Sequence, residues 1–524
     1  MLKYFPRFFL YLNLLTISLV TPVFAADESS LALSQTEEAV ILTPKPGPAP
    51  RINGPKVYGA HPEHPFLYRI PAQGERPMVF SAKHLPPGLQ LDATSGIITG
   101  FTPRAGDYIV VLHAKNSHGE DNRTFKIISG DTLSLTPSMG WNDWYAHYRS
   151  ITAEKVCQAA DILISSGMAD VGYQYVGIDD CWANSNNPKN PDRIGPFRDE
   201  QGNILPNKYF PDMKALTDFI HAKGLKAGIY TSPGPTTCAG FAGSYQHEAQ
   251  DARQFAAWGF DLLKYDWCSY SHEVSKPPSL EEMQRPYRLM GSLLKQQDRD
   301  ILFNLCQYGM GSVWEWGAEV GGQSWRTAGD LGNHLNHIFD VARLNAQHGS
   351  KERPGAWNDP DYIQIGWTGN AQGHPQKRFP LTPTEQYSFM SLWCLMSAPL
   401  FYSGDLTKLD AFTLNVLCNP EVIDIDQDPL GQCAKVIPVD GQTFLMLKNL
   451  ENGEHALGLC NPGDEPVTMT ADWSALGLKG KQRVRDVWRE KDLGIFGKAF
   501  SVRVPRHGVF LVKLTKAHGI GNLF

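Results

Sequence analysis

One feature constrains this chain more than any other: an alternation that begins near Thr136 and persists for roughly 270 residues. Apolar runs ending in polar residues take turns with helical stretches. The runs are Tyr175-Val176-Gly177-Ile178-Asp179-Asp180, Lys226-Ala227-Gly228-Ile229-Tyr230, Leu262-Leu263-Lys264-Tyr265-Asp266, Ile301-Leu302-Phe303-Asn304-Leu305-Cys306, Ser324-Trp325-Arg326-Thr327 and Gly355-Ala356-Trp357-Asn358-Asp359. Helical patterns fit between them at Ala153–Ser166, Met213–Lys223, Glu248–Trp258, Glu281–Gln297 and Thr384–Met396. Such alternation predicts a (β/α)8 TIM barrel. A barrel gathers the polar residues at its strand ends at one mouth, and that is where this segment places its acids.

The flanks read differently. From Arg51 to Ser129, short runs such as Phe66-Leu67-Tyr68-Arg69-Ile70 and Tyr108-Ile109-Val110-Val111-Leu112 alternate with Pro and Gly turns, which predicts a small β-sandwich. Leu85-Pro86-Pro87-Gly88-Leu89 followed by Gly96-Ile97-Ile98-Thr99-Gly100 resembles the Ig-like domains appended to bacterial surface and secreted enzymes. This module carries no catalytic constellation and reads as a spacer in preference to an adhesion unit. After Cys418, segments such as Thr443-Phe444-Leu445-Met446-Leu447-Lys448 and Gly508-Val509-Phe510-Leu511-Val512 predict a C-terminal antiparallel β-sandwich. The expected order is a signal peptide over 1–25, a linker over 26–50, an Ig-like domain over 51–130, the barrel over 131–418 and the sandwich over 419–524.

The signal peptide rests on Lys3 and Arg7, the apolar stretch Phe8–Val20 and the cleavage pattern Val23-Phe24-Ala25. It predicts a secreted or periplasmic chain with no membrane insertion of the mature protein; an uncleaved anchor is the alternative reading. Pro44-Lys45-Pro46-Gly47-Pro48 makes the linker stiff and extended. A net charge of −6 without any run of like charge gives no pull toward nucleic acid or an anionic membrane. Nine cysteines leave at least one outside any intramolecular disulfide. With no C-x-x-C and no H-E-x-x-H, a zinc site has no support, and no metal is expected.

Glycosidic cleavage with retention needs two carboxyl groups about 5–5.5 Å apart, one to attack and one to move protons. Asp266 ends a strand run, and period-2 alternation points Lys264 to the same side. A cation there favours an ionised nucleophile, although a lone K-x-D is more often a structural pair. Asp330 follows Ser324-Trp325-Arg326-Thr327-Ala328-Gly329 and suits an acid/base or a helix N-cap. Asp179 and Asp180, as neighbours, divide between pocket and scaffold, while Asn358-Asp359-Pro360-Asp361 alone reads as a turn.

In company these signals gain weight. Met139-Gly140-Trp141-Asn142-Asp143-Trp144, Ile178-Asp179-Asp180-Cys181-Trp182, Gly228-Ile229-Tyr230, Lys264-Tyr265-Asp266-Trp267-Cys268, Ser324 to Asp330, Trp357 to Asp361 and Ser397-Ala398-Pro399-Leu400-Phe401 stand in family order. Together they resemble glycoside hydrolase family 27, the α-galactosidase and α-N-acetylgalactosaminidase family. The resemblance implies Asp266 as nucleophile and Asp330 as general acid/base. It implies that Asp179 and Asp180 hold the O6 and O4 side of galactose and that Trp144 packs on the sugar. Lys264, Arg326 and Asp361 then bond the remaining hydroxyls, Tyr230 lines the pocket, and Cys238 pairs with Cys268. No cofactor is implied. Three positions depart from the family pattern: Arg149 replaces a frequent Cys partner of Cys181, Gln307-Tyr308 stands where Glu-Trp is frequent, and Tyr362 replaces a frequent Met.

The leading expectation is a retaining exo-α-galactosidase acting on terminal α-linked galactose of oligo- or polysaccharides. β-L-arabinopyranosidase and α-N-acetylgalactosaminidase are the alternatives on the same scaffold. A non-catalytic carbohydrate-binding surface protein fits poorly with two intact acids, and no G-x-G-x-x-G supports a nucleotide-dependent oxidoreductase.

Overall fold

The computed structural model describes residues 37–187, 191–331, 335–368, 377–378 and 381–517, with the signal-peptide region outside the described residues. Eight parallel strands form one curled sheet: β1 (Met139–Asn142), β2 (Tyr175–Gly177), β3 (Lys226–Thr231), β4 (Leu262–Asp266), β5 (Leu302–Cys306), β6 (Ser324–Arg326), β7 (Trp357–Asp359) and β8 (Leu400–Tyr402). Their spatial order is β7-β6-β5-β4-β3-β2-β1-β8. The ring closes beyond β7, where the Ile363 amide donates to Phe401 at 2.8 Å and the Ser403 amide donates to Ile363 at 2.9 Å. This is a (β/α)8 TIM barrel.

Every residue of β3 and β4 is buried, as parallel strands covered on both faces require. The outer ring holds α1 (Ala153–Ser165), α2 (Met213–His221), α3 (Glu248–Trp258), α4 (Leu280–Leu294), α5 (Leu335–Gln347), α6 (Pro383–Met396) and α7 (Ala411–Leu417). A Thr382–Glu385 capping box starts α6 with Pro383 in its first turn, and the helix is buried from Glu385 to Met396. That burial follows from its place between the barrel and the C-terminal sheet.

The Ig-like domain packs a four-stranded sheet (Val57–Ala60, Gly119–Ser129, Gly106–Asn116, Val79–Lys83) and a three-stranded sheet over Phe66, Tyr68, Phe80, Val110, Leu112, Phe125 and Ile127. It sits against the barrel floor, the end opposite the mouth. Asn53 Nδ2 donates to the Asp170 carbonyl at 2.9 Å, and Arg76 pairs with the Asp170 carboxylate at 3.0 Å. The C-terminal domain is an antiparallel six-stranded sheet facing a two-stranded one. Its Lys448 reaches into the barrel, donating to Ser397 Oγ at 2.7 Å and the Cys394 carbonyl at 3.1 Å. The Pro-rich stretch before the Ig-like domain lies against the helices: the Leu42 amide donates to Tyr387 Oη at 3.1 Å, and Asn419 Nδ2 to Thr43 Oγ1 at 2.9 Å. Among the described residues, no helix is long and apolar enough to cross a membrane.

Candidate active site

The strand ends of the barrel deliver the predicted residues to one mouth. Asp266 closes β4, with both carboxylate oxygens engaged. Tyr308 Oη donates to Oδ1 at 2.6 Å and Tyr230 Oη donates to Oδ2 at 2.9 Å. Burial pushes the Asp266 carboxyl above its ordinary pKa, while Lys264 and the two phenols pull it back. The sequence reading placed Lys264 beside Asp266, and the strand geometry does put them on one side. Its ammonium, however, donates to Asp179 Oδ2 at 2.8 Å. Burial disfavours the Lys264 charge, but Asp179 and its anionic neighbours outweigh that and raise its pKa.

Asp179 and Asp180 divide their work as neighbours must. Asp179 Oδ2 also accepts from Asn142 Nδ2 at 3.0 Å and Tyr362 Oη at 3.3 Å. Asp180 instead holds the scaffold. Its Oδ1 accepts from Thr237 Oγ1 and the Cys181 amide, each at 2.7 Å, and its Oδ2 from the Ala239 amide at 2.8 Å. Burial raises the Asp180 carboxyl to about 7 in spite of those donors. The loop it grips carries Cys238, which is disulfide-bonded to Cys268. Tyr230 Oη lies 3.2 Å from Cys268 Sγ, so the disulfide forms the wall beside Asp266.

On the far side of β5, Arg326 joins two more acids. Its guanidinium lies 3.2 Å from Asp361 Oδ1 and 3.1 Å from Asp330 Oδ1. Asp361 is buried and adopts a φ of 96°, and Tyr145 Oη donates to its Oδ2 at 2.8 Å. Burial lifts its carboxyl to about 6 against the pull of Arg326. Asp330 is half-exposed and faces solvent. Trp144 is half-buried against the apolar cluster that includes Tyr145, Tyr362 and Phe401, with Tyr148 edge-on to it at 4.6 Å between ring centroids.

Sequence reasoning gave no role to Asn142, which lies inside a motif it quoted, to Tyr145, one residue beyond that motif, or to Thr237, next to Cys238. Tyr308 and Tyr362 were noticed only as departures. Both hydroxyls reach acids of the site, Asp266 and Asp179, which nothing local in the sequence could reveal. Seven cysteines are free, Cys181 among them and buried. Arg193 ties the backbone there, donating to the Cys181 carbonyl at 2.7 Å and the Arg149 carbonyl at 2.8 Å.

Comparison with known proteins agrees with this layout. The family described as Alpha galactosidase A matches residues 136–428, more than half of the chain. The chain belongs to glycoside hydrolase family 27. The Alpha galactosidase C-terminal beta sandwich domain matches 440–514, and an Ig-domain family matches 49–130. An alpha-galactosidase of Oryza sativa is 37% identical over 388 residues, covering 73% of this chain and 85% of its own. The structure of alpha-galactosidase I from Mortierella vinacea, 30% identical with a TM-score of 0.64, covers 74% of this chain and 98% of its own. A candidate alpha-galactosidase/melibiase from Bacteroides fragilis, 35% identical with a TM-score of 0.82, covers 91% of this chain and 99% of its own. This family member therefore shares more with the last structure than the barrel and sandwich alone.

Proposed function

We propose that this family 27 enzyme is a retaining exo-α-galactosidase. The observation that carries the reading is the arrangement around Asp266: a buried carboxylate held by two phenols at a strand end, with the solvent-facing acid Asp330 at the same mouth. Asp266 attacks the anomeric carbon as Asp330 protonates the departing oxygen. Water, deprotonated by Asp330, then releases the sugar from Asp266. Asp179 and Lys264 bind hydroxyls on one side of the ring, Arg326 and Asp361 on the other, and Trp144 packs on its apolar face. Asp180 acts through the Cys238 loop, holding the wall of the pocket in place.

Incubation with p-nitrophenyl α-galactoside tests this. The wild type is expected to release α-galactose first, followed by NMR, and Asp266→Asn to lose roughly 10^3-fold or more in kcat. Undiminished release by the variant, or β-galactose as first product, overturns the reading. A β-L-arabinopyranosidase is the second reading, and one observation favours it. Asp179 Oδ2 accepts from Lys264, Asn142 and Tyr362 and its Oδ1 from the Asp180 amide, which leaves one acceptor position on Oδ1 for a sugar hydroxyl and none for a further one such as the hydroxymethyl group that arabinopyranose lacks. A higher kcat/KM on nitrophenyl β-L-arabinopyranoside than on the galactoside decides for it.

A further inference from the structure

The barrel floor carries a side-chain cluster that glycosidic chemistry does not use. His61 and His64 lie in the turn between the Ig-like strands Val57–Ala60 and Pro65–Arg69, and Asp300 comes just before β5. The two imidazoles aim the same atom at the same target: His61 Nδ1 is 2.6 Å and His64 Nδ1 2.8 Å from Asp300 Oδ1. All three donor atoms lie within 4.8 Å of one another. The side chains are 20%, 21% and 20% exposed, so the cluster is held in place yet open to an ion from solution.

The neighbouring cations are bonded to other groups, Lys226 to Tyr58 Oη among them. Arg299, next in sequence to Asp300, turns to Asp261 at 2.6 Å, and His221 shares that same acid at 2.8 Å. Among the described residues, Asp300 has ion-pair contacts with the two histidines alone. Asp300 also lines a cavity of about 310 Å³ between the two domains, which the two histidines do not line.

We propose that His61, His64 and Asp300 form a zinc site that clamps the Ig-like domain to the floor of the barrel. Two imidazole nitrogens and one carboxylate oxygen suit Zn²⁺, whereas Ca²⁺ and Mg²⁺ take oxygen ligands. Zinc bonds of about 2.0–2.1 Å in a tetrahedron set ligand atoms roughly 3.3 Å apart. The two contacts to Asp300, at 2.6 Å and 2.8 Å, need to open by roughly 0.5–0.7 Å to admit the ion. On binding, each imidazole moves its proton from Nδ1 to Nε2 and offers the freed lone pair, and water completes the fourth position. The motif H-x-x-H is silent by itself, because its third ligand lies 236 residues further along the chain.

Metal content and melting of the full chain test the site, after dialysis against a chelator and addition of Zn²⁺ or Co²⁺. The wild type is expected to retain about one zinc per chain, to melt at least roughly 2 °C higher with zinc, and to show the visible band of four-coordinate Co²⁺. Asp300→Asn, which keeps side-chain volume, and the double variant His61→Ala/His64→Ala are each expected to bind zinc at least tenfold more weakly. Because the readout is bound metal, it stands apart from any result on glycosides. Absence of retained zinc in the wild type overturns the proposal, as does equal binding by wild type and Asp300→Asn, which would place the ion on other histidines.

Discussion

Tyr308 shows how much one side chain decides at this site. Its hydroxyl is one of two that hold the Asp266 carboxylate, and a hydrogen bond to the charged form lowers a carboxyl pKa. Removing it in Tyr308→Phe leaves burial less opposed, so the pKa rises further. The acidic limb of kcat/KM is expected to move up by about one pH unit, since a hydrogen bond to a charged group is worth about 1.5–3 kcal/mol. A pH profile with an unmoved limb refutes that role. At this scale the sequence was legible as chemistry but not as pairing. The alternation of Lys264 and Asp266 fixed a shared side, yet the ammonium bonds Asp179, a partner from another strand. Arg193 teaches the same lesson: it bridges the carbonyls of Arg149 and Cys181 through contacts that no spacing encodes.

At the level of elements, close approach governs the ends of the barrel. A Cβ on Gly140 in β1 meets the Tyr175 carbonyl oxygen at 2.5 Å and the Phe401 ring at 2.8 Å, both on the neighbouring strands. Gly140→Ala therefore forces β1 away from β2 or β8. The expected cost is about 1–3 kcal/mol, measured by urea unfolding, and an unchanged midpoint counts against this packing. The six inner strands were readable because their apolar runs end in polar residues. β1 and β8 were quoted only as motifs and not as strands, and length is not the reason, because β2, β6 and β7 are equally short. The sequence also missed α5, although it recovered the other long helices. The β5–β6 connection explains part of the irregularity, with only the 3₁₀ turn Val313–Glu315 in place of a helix of that length.

For the whole molecule, the fold class was plain from texture, whereas the contacts between domains were not. Those contacts are made by single side chains such as Lys448, whose role depends on surfaces far apart in sequence. Asp426 lies in the same buried region, and burial pushes its carboxyl to about 8. The unfolded chain releases that proton near the ordinary value of 3.8, so between roughly pH 4 and 8 the native state binds more protons than the unfolded one. The stability contribution is full below that window and is lost as pH rises through it. Asp426→Asn, neutral at every pH, is expected to flatten the fall of Tm between pH 5 and 8. Parallel wild-type and variant curves would assign the slope to other groups.

The seven free cysteines give the molecule a redox character as well. Burial pushes the thiol pKa of each of them up. Exchange requires a thiolate, so the folded chain keeps its own sulfurs from attacking the Cys238–Cys268 bond. Reductant from outside then finds one address: the pocket wall, 3.6 Å from the Asp266 carboxylate and on the loop that Asp180 holds.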